Sequence, residues 1–501
     1  MKKKESDNRS AADTAAISLV GRFLTFAGRT MYLSHFGTGN LLLNAFTFAL
    51  QLPNVLFNVA GTALSTVVIP VYNSLLAEEK PNEAKKFIDN AISISFILLT
   101  TLVVLGIIAA PWISSLLEGG NFENTEYLTF ALRVLFPTII FFGFGTIFQG
   151  LLQSHGFYRL PAFVTAPGGI ILILYVVFFG NTFGVTGLLF ATFIGLVMQS
   201  LILIPAVRRL GYKYKFSFDL RDKNVRAAGK LCIPVLISVV SYQMHFLFGH
   251  SVALRFGTTA VMDYAQQLVQ AFVLTIVFAI VAVYFPKLSV LWAKSDSHGF
   301  GESLRKAMLF TGFLIMPAAA GFFLLRFEIM EFLLGWRDNS YTDTTLAGNL
   351  MGLYAVSVVA ISFKEVGDRA FYSGKDSKTP AIFGVIIMVV NIAATLALIS
   401  VLGTYAMPVA YGIAAIIGGG GLLFRLNMKT RFINFSFVVE LSKMILAVCV
   451  MAVAVIFARN LSGLVGLVVS ALVGVVVYFL MASVLRISSL RALRNRHGDA
   501  Q

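Results

Sequence analysis

The chain has 501 residues, 57% hydrophobic and only 13% charged, with a mean hydropathy of +0.83, where a soluble globular protein carries roughly 25% charged residues. That balance excludes a water-soluble enzyme and describes a chain dissolved in lipid, where its 42 Gly let helices approach closely without a hydrophobic force between them. The net charge of +15 raises the question of nucleic acid, which the placement of the charges answers below. Cys232 and Cys449 both lie in apolar runs and read as two small buried hydrophobes, not a disulfide framework.

The N-terminus opens Met1-Lys2-Lys3-Lys4 and stays polar through Asp13, with no short apolar core before a small-residue cleavage site, so it does not read as a cleaved signal peptide. A crossing needs about 20 mostly apolar helical residues. Fourteen stretches meet that need, at 12–36, 41–75, 88–117, 127–154, 160–180, 184–207, 230–256, 259–292, 305–326, 346–373, 379–402, 405–426, 437–458 and 462–485. Continuous runs such as 91–117 lack the two-residue alternation of a membrane β-barrel. With Lys2 in the cytoplasm, 29 of the 39 Lys and Arg fall on the cytoplasmic side. The positive-inside rule therefore predicts both termini on the cytoplasmic side, and anionic lipid, not nucleic acid, accounts for the basic excess.

The two halves repeat at an offset near 219 residues. Phe36-Gly37-Thr38 recurs as Phe256-Gly257-Thr258, and the link from Ser154 through Pro161-Ala162 recurs from Ser373 through Pro380-Ala381. Six spans separate equivalent positions, which predicts an all-α polytopic membrane protein with two six-helix lobes in parallel pseudo-repeat plus two C-terminal helices, the architecture of rocking transporters. The predicted parts are an N-lobe at 1–206, a basic cytoplasmic linker at 207–230, a C-lobe at 231–428, and 429–501 with helices thirteen, fourteen and a basic C-tail. The linker alternates Tyr212, Tyr214, Phe216 and Phe218 with Lys213, Lys215, Ser217 and Asp219, then offers a helix start at Asp222. An interfacial segment and a plain solvated linker both fit.

Polar residues in four spans fall on single helical faces. Helix one carries Ser18, Arg22, Thr25 and Arg29; helix two carries Asn44, Gln51, Asn54, Asn58, Thr62 and Ser65; helix seven carries Ser238, Tyr242, His245 and Gly249; helix eight carries Asp263, Gln266, Gln267 and Gln270. A central Arg facing lipid costs about 2.5–3.5 kcal/mol on insertion scales, so the four faces are expected to line a wet cavity between the lobes. Interhelical hydrogen bonding explains neutral stripes equally well. Arg22 and Arg29, without an embedded acid on helices one and two, tip the reading toward an anionic ligand, since a guanidinium fork suits phosphate.

Other clusters carry less. Lys364–Asp368 and Glu365–Arg369 in helix ten have the four-residue spacing of self-neutralising pairs and read as structural or as a cytoplasmic gate. His245 and His250 lie on different helix faces with no completing ligand, so no metal is expected. Gly418–Gly421 reads as close packing or a kink, and Pro53 with Gly61 as a bend in helix two. No ATP motif or other cofactor signature is present, and the external acids Glu118, Glu123, Glu126, Asp338 and Asp343 lack the clustering that a membrane transferase requires.

Gly21-Arg22-Phe23-Leu24-Thr25-Phe26-Ala27, Phe36-Gly37-Thr38-Gly39, Asn44-Ala45-Phe46, Leu52-Pro53-Asn54, Gly61-Thr62-Ala63-Leu64 and Tyr264-Ala265-Gln266-Gln267-Leu268 resemble the MurJ/MviN family, the lipid II flippases of peptidoglycan synthesis within the multidrug/oligosaccharidyl-lipid/polysaccharide exporter superfamily. The resemblance runs along the whole chain. It implies a transporter, not an enzyme, whose central cavity is lined by helices one, two, seven and eight, with a lipid-tail groove on helices thirteen and fourteen. It also implies a bacterial inner membrane as location, an anionic lipid-linked glycan as substrate, membrane lipids as surroundings, and cell-wall synthesis proteins as candidate partners; the oligomeric state is left open. The chain departs from the family pattern at Gly28-Arg29, where an Arg-acid pair is usual, at Asn44 for an acid, at Val55-Leu56-Phe57-Asn58, where an Arg is missing, and at Gln267 for an Arg. These departures leave a flippase for another polysaccharide or teichoic-acid precursor as the alternative, with a cation-coupled drug exporter behind it. The expected substrate-binding set is Arg22, Arg29, Asn44, Gln51, Asn54, Asn58, His245, Asp263, Gln266, Gln267 and Gln270, with Lys364, Glu365, Asp368 and Arg369 as the gate.

Overall fold

The computed structural model describes residues 2–117, 124–335, 342–459 and 463–490, and all regular structure among them is helical. Glu118, Glu123, Arg337 and Asp338 lie outside the described residues, as do the side chains of Ser238 and Tyr242. Among the described residues, ten stretches are long and apolar enough to cross a membrane. Two of these, Arg159–Arg209 and Lys378–Thr430, run to 51 and 53 residues, and each is broken by a left-handed glycine, Gly184 (φ 58°) and Gly403 (φ 54°). Together with the polar-faced first and seventh helices, the arrangement is consistent with fourteen crossings of a multi-pass membrane protein.

The chain divides into two compact units, the first reaching Ala260 and the second beginning at Val261. In the first, α1 (Lys2–Phe36) is followed by α2 (Leu41–Ala63), α3 (Ile69–Ala77), α4 (Pro81–Leu117), α5 (Thr125–Leu135), α6 (Thr138–Ser154), the short α7 (Arg159–Phe163), α8 (Ala166–Leu201), the short α9 (Ile204–Arg209) and α10 (Lys223–Arg255). Helix α1 starts at Lys2, ten residues before the predicted span, and Asp13 on it pairs with Arg159 at 2.6 Å. Its contact with α8 is nearly backbone to backbone, for a Cβ on Gly169 would stand 2.5 Å from the main chain at Leu24 and Thr25. Such contact gives dispersion its shortest reach, which matters where lipid competes for every apolar surface. Pro53 lies inside α2, and a π-helical turn at Leu64–Val68, three residues past Gly61, separates α2 from α3. Helix α10, which repeat phase assigns to the second lobe, packs against α2 and α4 within the first unit.

The second unit contains α11 (Thr259–Ala293), α12 (Ser297–Leu324), α13 (Arg326–Leu334), α14 (Thr344–Ser373), α15 (Lys378–Leu402), α16 (Ala406–Ala414), α17 (Gly420–Thr430), α18 (Phe435–Ala458) and α19 (Gly463–Val484). A π-helical turn at Ala415–Gly419 joins α16 to α17, and the glycine run there does pack closely. A Cβ on Gly418 would come within 2.3 Å of Ile387, and one on Gly421 within 2.7 Å of Phe383. Buried Tyr478 on α19 donates to the Phe313 carbonyl of α12 at 2.7 Å, tying the last helix to the rest. Neither cysteine is fully buried as expected; Cys232 is half-buried and Cys449 exposed on α18, where a thiol is apolar enough to face lipid.

Candidate functional site: polar faces on the spanning helices

Helix α1 turns its small residues toward α8 and leaves its long cations elsewhere. Arg22 is exposed, and no carboxylate pairs with it among the described residues. Arg29 is half-buried one heptad on, within coulombic reach of Tyr32 and of His250 on α10. Thr25 of the same stripe hydrogen-bonds back to the Gly21 carbonyl and across to that of Thr165, so it belongs to the α1–α8 joint.

On α2, Gln51 and Asn54 are half-buried and Asn58 is exposed. Asn44 departs from its expected role. It is fully buried, its amide donates to the carbonyls of Thr38 and Asn40 at 3.0 and 2.8 Å, and its Oδ1 accepts the Ala260 amide at 2.8 Å. A side chain spent on three backbone partners pins the loop after α1 to the chain after α10, and has little left for a ligand. His245 is buried on α10 against Phe246, whereas His250 is held by the Phe246 carbonyl at 2.8 Å.

On α11, Asp263 is buried and accepts from the exposed Gln267 at 3.2 Å; Gln266 is buried, and Gln270 donates to Tyr411 Oη of α16 at 3.3 Å. In α14, Lys364 and Asp368 form a buried pair at 2.6 Å, with side chains 9% and 7% exposed. The second expected pair is absent among the described residues. Glu365 instead approaches Lys364 at 3.7 Å, and the Arg369 guanidinium lies over the Tyr372 ring, 5.8 Å from its centroid. Arg369 gains cation–π contact where Glu365 is already drawn to Lys364. No cluster of metal-ligating side chains occurs among the described residues.

One feature answers an expectation, the groove on helices thirteen and fourteen, which are α18 and α19, and one escaped the sequence reading. A groove of about 430 Å³ runs between α12, α13, α18 and α19, lined by Phe313, Pro317, Met451, Val455, Gly474 and Tyr478 among others, and it is almost wholly apolar. The second feature is the linker. Residues 212–219 form an extended strap along α4, whose Asp89, Asn90 and Ser93 are buried beneath it. Asp89 accepts from Tyr212 Oη and the Lys215 amide, Ser93 Oγ from the Ser217 amide, and Asn90 exchanges two hydrogen bonds with the Asp219 main chain at 2.7 and 2.9 Å. The available signal was the spacing of 89, 90 and 93, one turn of polar side chains at the head of an apolar span.

Residues 33–483 match the family model described as lipid II flippase MurJ. The chain is 22% identical over 435 residues to a lipid II flippase MurJ of Burkholderia cenocepacia, covering 84% of each chain. It is 24% identical over 469 residues to a probable lipid II flippase MurJ of Bdellovibrio bacteriovorus, covering 90% of each. Among solved structures it superposes on a lipid II flippase MurJ in an inward closed conformation with a TM-score of 0.80 at 20% identity, covering 94% of this chain and 98% of that one. An inward-facing multidrug MATE transporter follows with a TM-score of 0.67 at 17% identity, covering 84% and 99%.

Proposed function

Because the chain belongs to the lipid II flippase MurJ family, we propose that it moves lipid II, a polyprenyl-pyrophosphate-linked sugar precursor, from the cytoplasmic to the outer leaflet by alternating access. In this reading both termini are cytoplasmic, on the side where the basic loops collect. The observation that carries the chemistry is Arg22, an exposed cation on a spanning helix with no paired acid among the described residues. A guanidinium in a wet but low-dielectric setting attracts a pyrophosphate far more strongly than in bulk water and grips it through two parallel hydrogen bonds. Arg29 adds a second charge seven residues on, while Gln51, Asn54 and Asn58 on α2, His245 on α10, and Asp263, Gln266, Gln267 and Gln270 on α11 supply neutral or orienting contacts. The buried Lys364–Asp368 pair, with Glu365 and Arg369, serves as the cytoplasmic gate. The groove between α12, α13, α18 and α19 takes the polyprenyl tail, its apolar lining matching a hydrocarbon and nothing else in the cargo. Both relatives named above carry the lipid II description, which outweighs the missing arginines that point to the polysaccharide or teichoic-acid alternative.

The test is rescue of bacteria depleted of their own lipid II flippase. The parent chain is expected to restore growth, the Arg22→Ala, Arg29→Ala double variant to reach the membrane but fail, and Arg22→Lys to restore part of it by keeping charge without the planar fork. Failure of the parent overturns the cargo; rescue by the double variant overturns the anion site.

A further inference from the structure

A second cavity, unrelated to the polar faces, lies at the basic end of the first unit. It measures about 880 Å³ and is walled by Phe96 of α4, Phe144 and Phe148 of α6, Ile204 of α9, and Tyr214 and Phe216 of the strap, with Arg208 and Lys213 among its lining. Its size falls within the roughly 300–1,000 Å³ usual for small-molecule sites, and its make-up is theirs as well, apolar walls with a few convergent polar groups. Phe96, Tyr214 and Phe216 are exposed, so the aromatic walls continue to the surface of a protein surrounded by lipid.

The charges show what it would take. Every acid of the strap and of the α4 turn beneath it is engaged. Asp89 pairs with Lys85 at 2.8 Å, and Asp219 and Asp222 lie 3.7 and 3.5 Å from Lys86. Arg208 and Lys213 are exposed and have no acidic partner among the described residues. Two unneutralised cations thus stand at the rim of an apolar, aromatic cavity, on the side of the membrane where basic residues concentrate. That combination matches a phosphate joined to hydrocarbon: a soluble anion leaves the aromatic walls wet, and a neutral lipid leaves the cations unused.

We propose that this cavity binds an anionic glycerophospholipid, its phosphate held by Arg208 and Lys213 and its acyl chain seated among the phenylalanines. The lipid completes the packing under Tyr214 and Phe216 and fastens the strap to α4. This assignment stands whether or not lipid II is the cargo, because none of the polar-face residues lines the cavity.

The experiment uses the full chain in bilayers, with Trp112, Trp292 and Trp336 changed to Phe and Phe216→Trp as the reporter. Brominated phosphatidylglycerol is expected to quench the reporter at lower mole fraction than brominated phosphatidylethanolamine. Arg208→Ala and Lys213→Ala should each weaken that preference by about five-fold, the factor matching about 1 kcal/mol per basic residue at an anionic surface. In the unsubstituted chain, phosphatidylglycerol should slow hydrogen exchange at residues 212–219, and the double variant should lose that protection. Equal quenching by the two lipids overturns the proposal, as does a preference that survives the double variant. Displacement of phosphatidylglycerol by a polyprenyl phosphate at lower concentration also overturns it, since the cavity then belongs to the cargo.

Discussion

Lys364 and Asp368 meet at 2.6 Å with both side chains nearly shut off from solvent, and a buried ion pair of this kind sets a sharp energetic expectation. Lys364→Met strands the Asp368 carboxylate and should cost about 3–5 kcal/mol, whereas Lys364→Met with Asp368→Leu should recover most of it, because well-packed apolar side chains replace a buried ion pair at little cost. Thermal unfolding of the purified variants in detergent measures both. A double variant as unstable as the single one would mean that the pair is not what holds α14 at this point. The four-residue step from Lys364 to Asp368 is readable in the sequence, yet the same step from Glu365 to Arg369 produces no pair, because Tyr372 offers the guanidinium a ring and Lys364 lies closer to the acid. Asn44 sits in phase with Asn54 and Asn58 but is consumed by three backbone groups, one of them 216 residues away in sequence. A contact that remote leaves no periodic trace.

At the scale of elements, the helices were legible because a crossing of about 20 residues is a strong and local demand. Their ends and irregularities were less so: α1 runs on through its polar, basic N-terminal segment, and the disturbance of the second span falls at Leu64–Val68, beyond the proline. The linker's alternation was visible in sequence, but whether it met solvent or protein depended on α4, where Asp89, Asn90 and Ser93 replace a missing sheet partner by accepting amides of alternate strap residues. Burial, with the Asp89 carboxylate beside it, pushes the Tyr212 hydroxyl far above its ordinary range. The sign follows from linkage: a phenol whose folded pKa is raised contributes its full stability below the unfolded value near 10 and loses it as pH climbs above that. The strap should therefore loosen only in strongly alkaline solution. Asp89→Ala should loosen it at neutral pH, read as faster hydrogen exchange or new proteolytic cuts at 212–219, while Tyr212→Phe should abolish the alkaline step. Unchanged exchange in Asp89→Ala would show that aromatic packing alone holds the strap.

At the scale of the whole molecule, the internal repeat proves more legible in the backbone than in the side chains. Left-handed residues occur in pairs one repeat apart: Gly37 with Gly257, Gly156 with Lys375, Gly184 with Gly403, and Gly211 with Arg431, at separations of 219 or 220 residues. Asn124 and Asp343, also 219 apart, cap α5 and α14 in the same way, each accepting an amide three residues on. Turn geometry is preserved where residue identity is not, Lys375 taking a conformation that Gly156 adopts without strain. In a parallel repeat of six spans, equivalent turns are expected on the same side of the membrane, the turns after Ser154 and after Ser373 on the side of the strap and the caps at Asn124 and Asp343 on the other. The basic residues concentrate on the first side, which the positive-inside rule therefore expects to be the cytoplasmic one. Single cysteines test this in a chain with Cys232→Ser and Cys449→Ser, the latter needed because Cys449 is exposed. Glu126→Cys and Thr342→Cys are expected to react with a membrane-impermeant maleimide on intact cells, and Lys223→Cys only after the membrane is opened. Reaction at Lys223→Cys from outside would invert the orientation. Reaction from opposite sides at Glu126→Cys and Thr342→Cys would break the parallel repeat itself, since no even number of crossings could then separate them.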